Sequence, residues 1–89
     1  MEIIVIDGGK CRDKTSTHEY LADTMDLPEY YGKNLDALYD VLTSITEDVC
    51  FQIINSFEIV ENLGLYGTKM IKVFTDAANV NQYIKTGLL

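Results

Sequence analysis

The 89-residue sequence predicts an α/β fold, with a three-stranded parallel sheet and about four helices packed on it. Three short apolar segments bounded by turn residues have the character of strands. Two stretches of helical periodicity separate each strand from the next, which gives the order β-α-α-β-α-α-β. Right-handed helical crossovers join the parallel strands, and with three strands and four helices we expect the helices to crowd one side of the sheet. One proline and no linker or repeat predict a single domain over residues 1–89.

The first strand is predicted from a β-branched run, Ile-Ile-Val-Ile at residues 3–6. Such a run is typical of a strand buried on both faces of a parallel sheet. Ser16 and Glu19 have the spacing of a capping box, which predicts a helix that begins near Ser16 and ends before Pro28. His18 lies in the first turn of this helix, where a lone histidine is usually a surface or capping residue rather than a catalytic base.

The second helix follows a loop that contains a turn signal, residues 27–34. Asn34 is expected to be the N-cap, because its side-chain oxygen can accept from the free amides of the first turn. The helix then runs from about Leu35 to about Ser44. One face must be core, because apolar residues recur on it at helical spacing. These residues are Leu38, Val41, Leu42 and Ile45.

Another face of the second helix carries an acid, an aromatic, an acid and a hydroxyl at i, i+3, i+4 and i+7. Two like charges at i and i+4 cost about 0.2–0.5 kcal/mol on an exposed helix. The helix N-terminus attracts the first acid, but the second lies one turn later. The face is therefore either an ordinary solvated acidic surface or a surface that receives a cationic partner. Its members are Asp36, Tyr39, Asp40 and Thr43.

The second strand is predicted over residues 49–54, and a short helix over about 56–63 follows it with Asn55 as a cap. A fourth helix starts near Thr68. The third strand falls within residues 82–89, where lysine and an interior glycine suit the edge of a sheet. The inner face of the fourth helix is marked by Met70, Val73, Phe74 and Ala77.

The net charge of −7 comes from one third of the chain. Residues 19–48 hold eight acids and one base, whereas the remaining residues hold six of each. A domain with this charge repels nucleic acid and anionic membranes, so the expected partner is a basic protein.

Two cysteines, Cys11 and Cys50, are too few for a disulfide framework, although the sequence allows a disulfide between them. No apolar run suits a signal peptide or a membrane span, which predicts a cytoplasmic protein.

The sequence contains little that supports an enzymatic function. No serine or cysteine has a nucleophile motif, no Gly-Lys pair has phosphate-loop spacing, and no Cys/His set suits zinc. Asp36 and Asp40 on adjacent turns lack the cleft and the unequal environments that a glycosidase pair needs. We therefore expect no enzyme activity, no cofactor and no metal. A binding surface is the interpretation that remains.

Tyrosines close to these acids support a binding surface, because rigid aromatic rings are enriched at interfaces. Tyr30 and Tyr31 are adjacent in the loop, and Tyr39 lies on the helix. We expect one ring of the adjacent pair to pack inward and the other to be free for a partner. The alternative is that both rings cover the core.

Residues 27–43, Leu-Pro-Glu-Tyr-Tyr-Gly-Lys-Asn-Leu-Asp-Ala-Leu-Tyr-Asp-Val-Leu-Thr, closely resemble the signature of the barstar family, which comprises intracellular inhibitors of barnase-type ribonucleases. The resemblance implies a barstar-like three-stranded parallel sheet carrying helices. It also implies a protein, monomeric when free, that holds a basic, secreted-type ribonuclease inactive inside the cell that makes it. Weaker likeness extends over the chain at His18, Phe57, Glu58, Gly67, Val73, Phe74 and Ala77.

The resemblance also implies how a partner is bound. In the family the helix and the preceding loop plug the nuclease active site, and the aspartate that takes the place of a substrate phosphate matches Asp40. Asp76 matches an acidic contact on the last helix, where glutamate is usual. The partner-binding residues implied are Tyr30, Asn34, Asp36, Tyr39, Asp40, Thr43 and Asp76.

The sequence departs from the family pattern at three places. Tyr39 replaces a tryptophan, Ser44 and Ile45 stand where an aromatic residue is expected after Thr43, and the Tyr-Pro before the second strand is absent. These departures lie at the rim of the motif, while its centre is kept. They leave open an alternative function, namely an acidic binding module or immunity protein for a different basic partner or toxin.

Overall fold

A computed structural model describes residues 1–89 and contains one three-stranded parallel sheet in the order β1-β2-β3. The central strand is β2, in which Phe51 is in register with Ile4 on one side and Thr86 on the other. The predicted fold class is confirmed, and β3 lies at an edge as predicted. The strands are β1 (Glu2–Asp7), β2 (Val49–Ile54) and β3 (Ile84–Leu88).

Four α-helices accompany the sheet, two in each crossover, and a short 3-10 helix at Gly8–Lys10 follows β1. A side chain at Gly67 would overlap the backbone of Ile59, so glycine is required where the third and fourth helices meet. No helix of this protein is both long enough and apolar enough to cross a membrane. The helices are α1 (Lys14–Thr24), α2 (Leu35–Thr43), α3 (Ser56–Leu63) and α4 (Leu65–Val80).

The core lies between one face of the sheet and the helices. Phe51 of β2 and Phe74 of α4 meet edge to face with ring centroids 5.3 Å apart, an arrangement that aromatic rings favour. The other face of the sheet is open, and Ile3 and Val5 of β1 are 58% and 45% exposed. The prediction that β1 is buried on both faces was therefore wrong, because the crossover helices leave one face of this edge strand uncovered.

Two helix starts differ from the sequence prediction. The N-cap of α1 is Asp13, whose carboxylate accepts from the Ser16 amide at 2.8 Å, so Ser16 is the third residue of the helix rather than its cap. The α4 helix starts at Leu65, three residues before the predicted Thr68. Gly64 has a φ of +60°, and this single left-handed residue ends α3 and lets the chain turn directly into α4.

Asn55 is the N-cap of α3 as predicted, but its side chain does not make the capping bond. Asn55 has a left-handed φ of +51° and makes no side-chain bond to the first turn of α3. Its amide instead donates to the Asp7 carboxylate at 3.0 Å, which connects the ends of β1 and β2. On α4, Met70, Phe74 and Ala77 are buried as predicted.

Candidate functional site

The loop between α1 and α2 is anchored by a chain of three hydrogen-bonded side chains, of which two are buried and the third, Tyr66, is half-buried. Tyr31 is only 6% exposed, and its hydroxyl lies 2.8 Å from Nδ1 of His18. Nε2 of the same imidazole lies 2.6 Å from the Tyr66 hydroxyl on α4. His18 is 1% exposed, so the prediction of a surface or capping histidine was wrong. The loop is thereby fixed to both α1 and α4.

Burial sets the protonation of this chain. Loss of solvent lowers the pKa of His18 and raises the pKa of Tyr31 to about 12, so both groups are neutral near pH 7. A neutral imidazole has one donor and one acceptor nitrogen. One tyrosine hydroxyl therefore accepts a hydrogen bond from the ring, and the other donates one to it.

Tyr30 is 88% exposed, because its neighbour Tyr31 takes the inward position. The expectation that one ring packs inward and the other stays free is confirmed. An exposed ring on an anchored loop offers a large contact area at little further cost in conformational entropy.

The start of α2 is fixed by Asn34. Its Oδ1 accepts from the Ala37 amide at 2.7 Å, and its Nδ2 donates to the Gly32 carbonyl oxygen at 3.1 Å. The predicted N-cap is confirmed. Lys33 just before it has a φ of +53°, a left-handed conformation that turns the chain sharply into the helix. Both polar groups of Asn34 are therefore used inside the protein, where they set the direction of α2 from the loop.

The two aspartates of α2 point into solvent, as predicted. The carboxylates of Asp36 and Asp40 are exposed and make no hydrogen bond or salt bridge within the chain. The opposite side of the helix is core, since Leu38 and Leu42 are fully buried. Two unpaired carboxylates one turn apart can accept charge-assisted hydrogen bonds from arginine or lysine of another molecule.

Tyr39 and Thr43 are less exposed than we predicted for the helix face that they share with Asp36 and Asp40. Tyr39 is half-buried and packs against the core, and the Thr43 hydroxyl donates to the Tyr39 carbonyl oxygen at 2.8 Å. The ring of Tyr39 is partly covered by the core residues that it contacts, and the Thr43 hydroxyl is occupied by a bond within α2 itself. We refer below to the loop–helix surface, defined as residues 27–34 together with Asp36, Tyr39, Asp40 and Thr43.

Asp76 lies on α4 and is half-buried. Its carboxylate accepts from Lys72 Nζ at 2.8 Å across one helical turn. The i, i+4 spacing signals this pair in the sequence, but it was not predicted. Such an exposed pair contributes only about 0.3–0.5 kcal/mol, so a partner cation could displace the lysine at small cost.

A shallow groove of about 350 Å³ separates the loop from α2. Tyr30 and Asp40 both line it, so the structure brings together the exposed ring and the exposed acid. Ser44 and Ile45 also line the groove, although they were not predicted as site residues. The spacing of Ser44, one turn after Asp40, was the available signal, and its hydroxyl donates to the Asp40 carbonyl oxygen at 2.7 Å.

Groups suited to metals or redox chemistry do not converge at this surface. The structure contains no cluster of three or more His, Cys, Asp or Glu side chains that could hold a metal ion. Cys11 and Cys50 are free thiols, the first buried and the second half-buried. What the surface offers chemically is negative charge and an aromatic contact for a cationic partner.

Comparison with known proteins assigns the chain to a family. Residues 1–85 match the model of the family described as Barstar (barnase inhibitor). A curated relative from Bacillus subtilis (strain 168), named "Putative ribonuclease inhibitor YrdF", is 36% identical over 78 residues, which cover 86% of each chain. The fold, the motif in residues 27–43 and these matches agree, and the chain belongs to the barstar family.

Proposed function

We propose that this protein inhibits a basic ribonuclease by inserting its loop–helix surface into the active site, with the Asp40 carboxylate in place of a substrate phosphate. The observation that carries the proposal is that Asp40 is exposed, unpaired and on the same groove as the exposed Tyr30 ring. Family membership and the name of the curated relative support an inhibitor rather than an enzyme.

Charge complementarity supplies the chemical basis of inhibition. A ribonuclease must hold RNA phosphates, so its active site presents arginine, lysine or protonated histidine. The Asp40 carboxylate would accept charge-assisted hydrogen bonds from those groups, and RNA would be excluded from the same place. Asp36, one turn away, would extend the negative field and speed the encounter with a positively charged nuclease.

The buried anchor of the loop contributes to affinity in a different way. A loop that is already fixed before binding loses less conformational entropy on binding. Tyr31, His18 and Tyr66 fix the loop from below, and Asn34 fixes the start of α2. Tyr30 and Asp40 would therefore meet the nuclease in a geometry that exists in the free protein.

Three further parts of the proposal follow from the family pattern. Tyr39 and Thr43 would form the border of the contact and add shape, while the Asp76 carboxylate would add an acidic contact from α4. Since family inhibitors act in the cell that makes the nuclease, we place this protein in the cytoplasm. Its partner would be a barnase-like, secreted-type enzyme.

A second candidate function uses the same surface for a different basic toxin. The observation that favours it is the groove itself, which is bordered by Ser44 and Ile45 and is left uncovered by any large ring from these positions. An immunity protein for another toxin would bind through Asp40 equally, and only the identity of the captured partner separates the two functions.

The test is a titration of ribonuclease activity. Purified barnase, and any basic ribonuclease encoded in the same genome, would be mixed with increasing amounts of this protein while cleavage of a fluorogenic RNA is followed. We expect activity to vanish near a one-to-one ratio, and inorganic phosphate to compete with the inhibitor. Full cleavage by every nuclease tested at excess protein would overturn the proposal in favour of another basic partner.

A further inference from the structure

A second cavity, of about 330 Å³, lies beside the groove and is mostly apolar. It is bounded by the residues that follow α1 and α2 and by the covered face of the sheet near β1 and β2. A volume of this size can hold a side chain or a small ligand. Its lining includes Ile4, Met25, Leu27, Val41, Ile45 and Phe51.

The cavity and the groove are adjacent. Val41, Ser44 and Ile45 line both of them, so one continuous concave region connects the apolar cavity with Tyr30 and Asp40. A molecule that meets Asp40 along the groove would therefore have the cavity within reach of its neighbouring groups.

The charged side chains that line the cavity and the groove are all acidic. Glu2 and Glu47 line the cavity and Asp40 lines the groove, while no lysine, arginine or histidine lines either. Seven of the eleven residues that line the cavity are apolar, so covering them with an apolar group of the partner is favourable. A suitable occupant therefore has an apolar group that enters the cavity and a positively charged group next to it.

We propose that the cavity binds an aliphatic or aromatic side chain of the protein partner, on a segment in which that side chain is flanked by arginine or lysine. The inference rests on the proposed function, because the flanking cation is the group that engages Asp40. It adds a specificity element, since the partner is selected by one apolar side chain as well as by its charge. Loss of that side chain would weaken binding by about tenfold or more.

The first test uses peptides and does not depend on any nuclease. The amidated tripeptides Arg-Leu-Arg and Arg-Ser-Arg would be titrated to about 10 mM, a range that captures millimolar binding, while methyl resonances of Met25, Leu27 and Ile45 are followed by NMR. We expect these resonances to shift with the leucine peptide and several-fold less with the serine peptide. Equal shifts, or none with either peptide, would overturn the inference.

Two cavity variants and one control variant test whether the cavity causes this preference. Val41→Phe would fill the cavity from α2, and Ile45→Asn would make it polar without filling it. Both should abolish the preference for leucine over serine. Val60→Phe places the same larger side chain on the exposed face of α3 and should keep the preference. Thermal unfolding confirms that each variant is folded, and a preference that survives in both cavity variants would contradict the inference.

Measurements with a nuclease distinguish a failure of this inference from a failure of the proposed function. If Asp40→Ala releases an inhibited nuclease while Val41→Phe does not, and the three methyl groups do not shift in the wild-type complex, the cavity inference fails and the inhibitor function stands. If the wild type inhibits no nuclease but still prefers the leucine peptide, the proposed function fails and the cavity remains a docking site for a basic, apolar segment.

Discussion

Nδ1 of His18 and the hydroxyl of Tyr31 lie 2.8 Å apart in the core. This contact joins α1 to the loop that carries the exposed Tyr30. The other imidazole nitrogen reaches Tyr66 of α4 at 2.6 Å. Three segments that are distant in sequence thus meet at one neutral ring. The position of the loop–helix surface depends on a group that lies beneath it.

The first prediction concerns the stability of this anchor. His18→Leu should lower the free energy of unfolding by about 1–3 kcal/mol, because the buried Tyr31 hydroxyl and the half-buried Tyr66 hydroxyl both lose their partner. Urea unfolding followed by far-UV circular dichroism measures the change. Tyr30→Phe removes a hydroxyl from an exposed ring and should leave the stability unchanged. Equal stability of His18→Leu and the wild type would show that the anchor contributes little.

The second prediction is a pH dependence with a defined sign. Burial lowers the pKa of His18 below its ordinary value of 6.5, so the unfolded chain takes up the proton at a higher pH than the folded protein. The contribution of neutral His18 to stability is therefore complete above 6.5 and is lost as the pH falls from 6.5 toward the lower folded-state pKa.

Urea unfolding at about pH 7.5 and pH 5.5 would measure this change, with the lower stability expected at the lower pH. His18→Gln should remove most of the difference. Asp7 and Asp13 also have lowered pKa values, owing to hydrogen bonds, but their contributions are lost only as the pH falls below 3.8. A wild type that is equally stable at both pH values would contradict the assignment.

The third prediction concerns the cap of α2. Asn34→Ala should cost about 1 kcal/mol of stability, since the Ala37 amide loses its acceptor. Asn34→Ser keeps an acceptor at the cap and should cost much less. Thermal unfolding of the three proteins in parallel is the measurement. If the alanine and serine variants were equally destabilised, the loss would have to come from something other than the cap.

The fourth prediction separates steering from docking. Asp36→Asn should slow association with the inhibited ribonuclease several-fold at low salt and change the dissociation rate little, because an exposed charge acts mainly on the encounter. Stopped-flow mixing at two salt concentrations measures both rates. The effect should shrink as the salt concentration rises. A change confined to the dissociation rate would instead give Asp36 a direct contact.

Local features of the fold could be predicted from the sequence. Asn34 caps α2 and Leu38 and Leu42 face the core, because capping and helical spacing depend on residues a few positions apart. The exposure of Asp36 and Asp40 follows from the same spacing. The outward acids of the candidate site were therefore accessible from the sequence.

Features that depend on distant segments could not be predicted in this way. The contact between His18 and Tyr66 joins residues 48 positions apart. Similarly, the exposure of Val5 depends on which face the crossover helices cover. The groove that joins Tyr30 to Asp40 exists only once α2 is packed against the rest of the chain. The concave shape of the site is thus a tertiary property, whereas its charge is a local one.

The most direct measurement is the inhibition constant of Asp40→Asn against the ribonuclease that the wild type inhibits, beside Glu61→Gln as a matched loss of charge on α3. Asparagine keeps the size of the side chain and removes its charge. We predict that Asp40→Asn weakens inhibition by about a hundredfold or more, as expected for a buried, hydrogen-bonded charge pair, and that Glu61→Gln changes it less than about twofold. Equal inhibition constants for the two variants would contradict the role of Asp40 as a phosphate substitute.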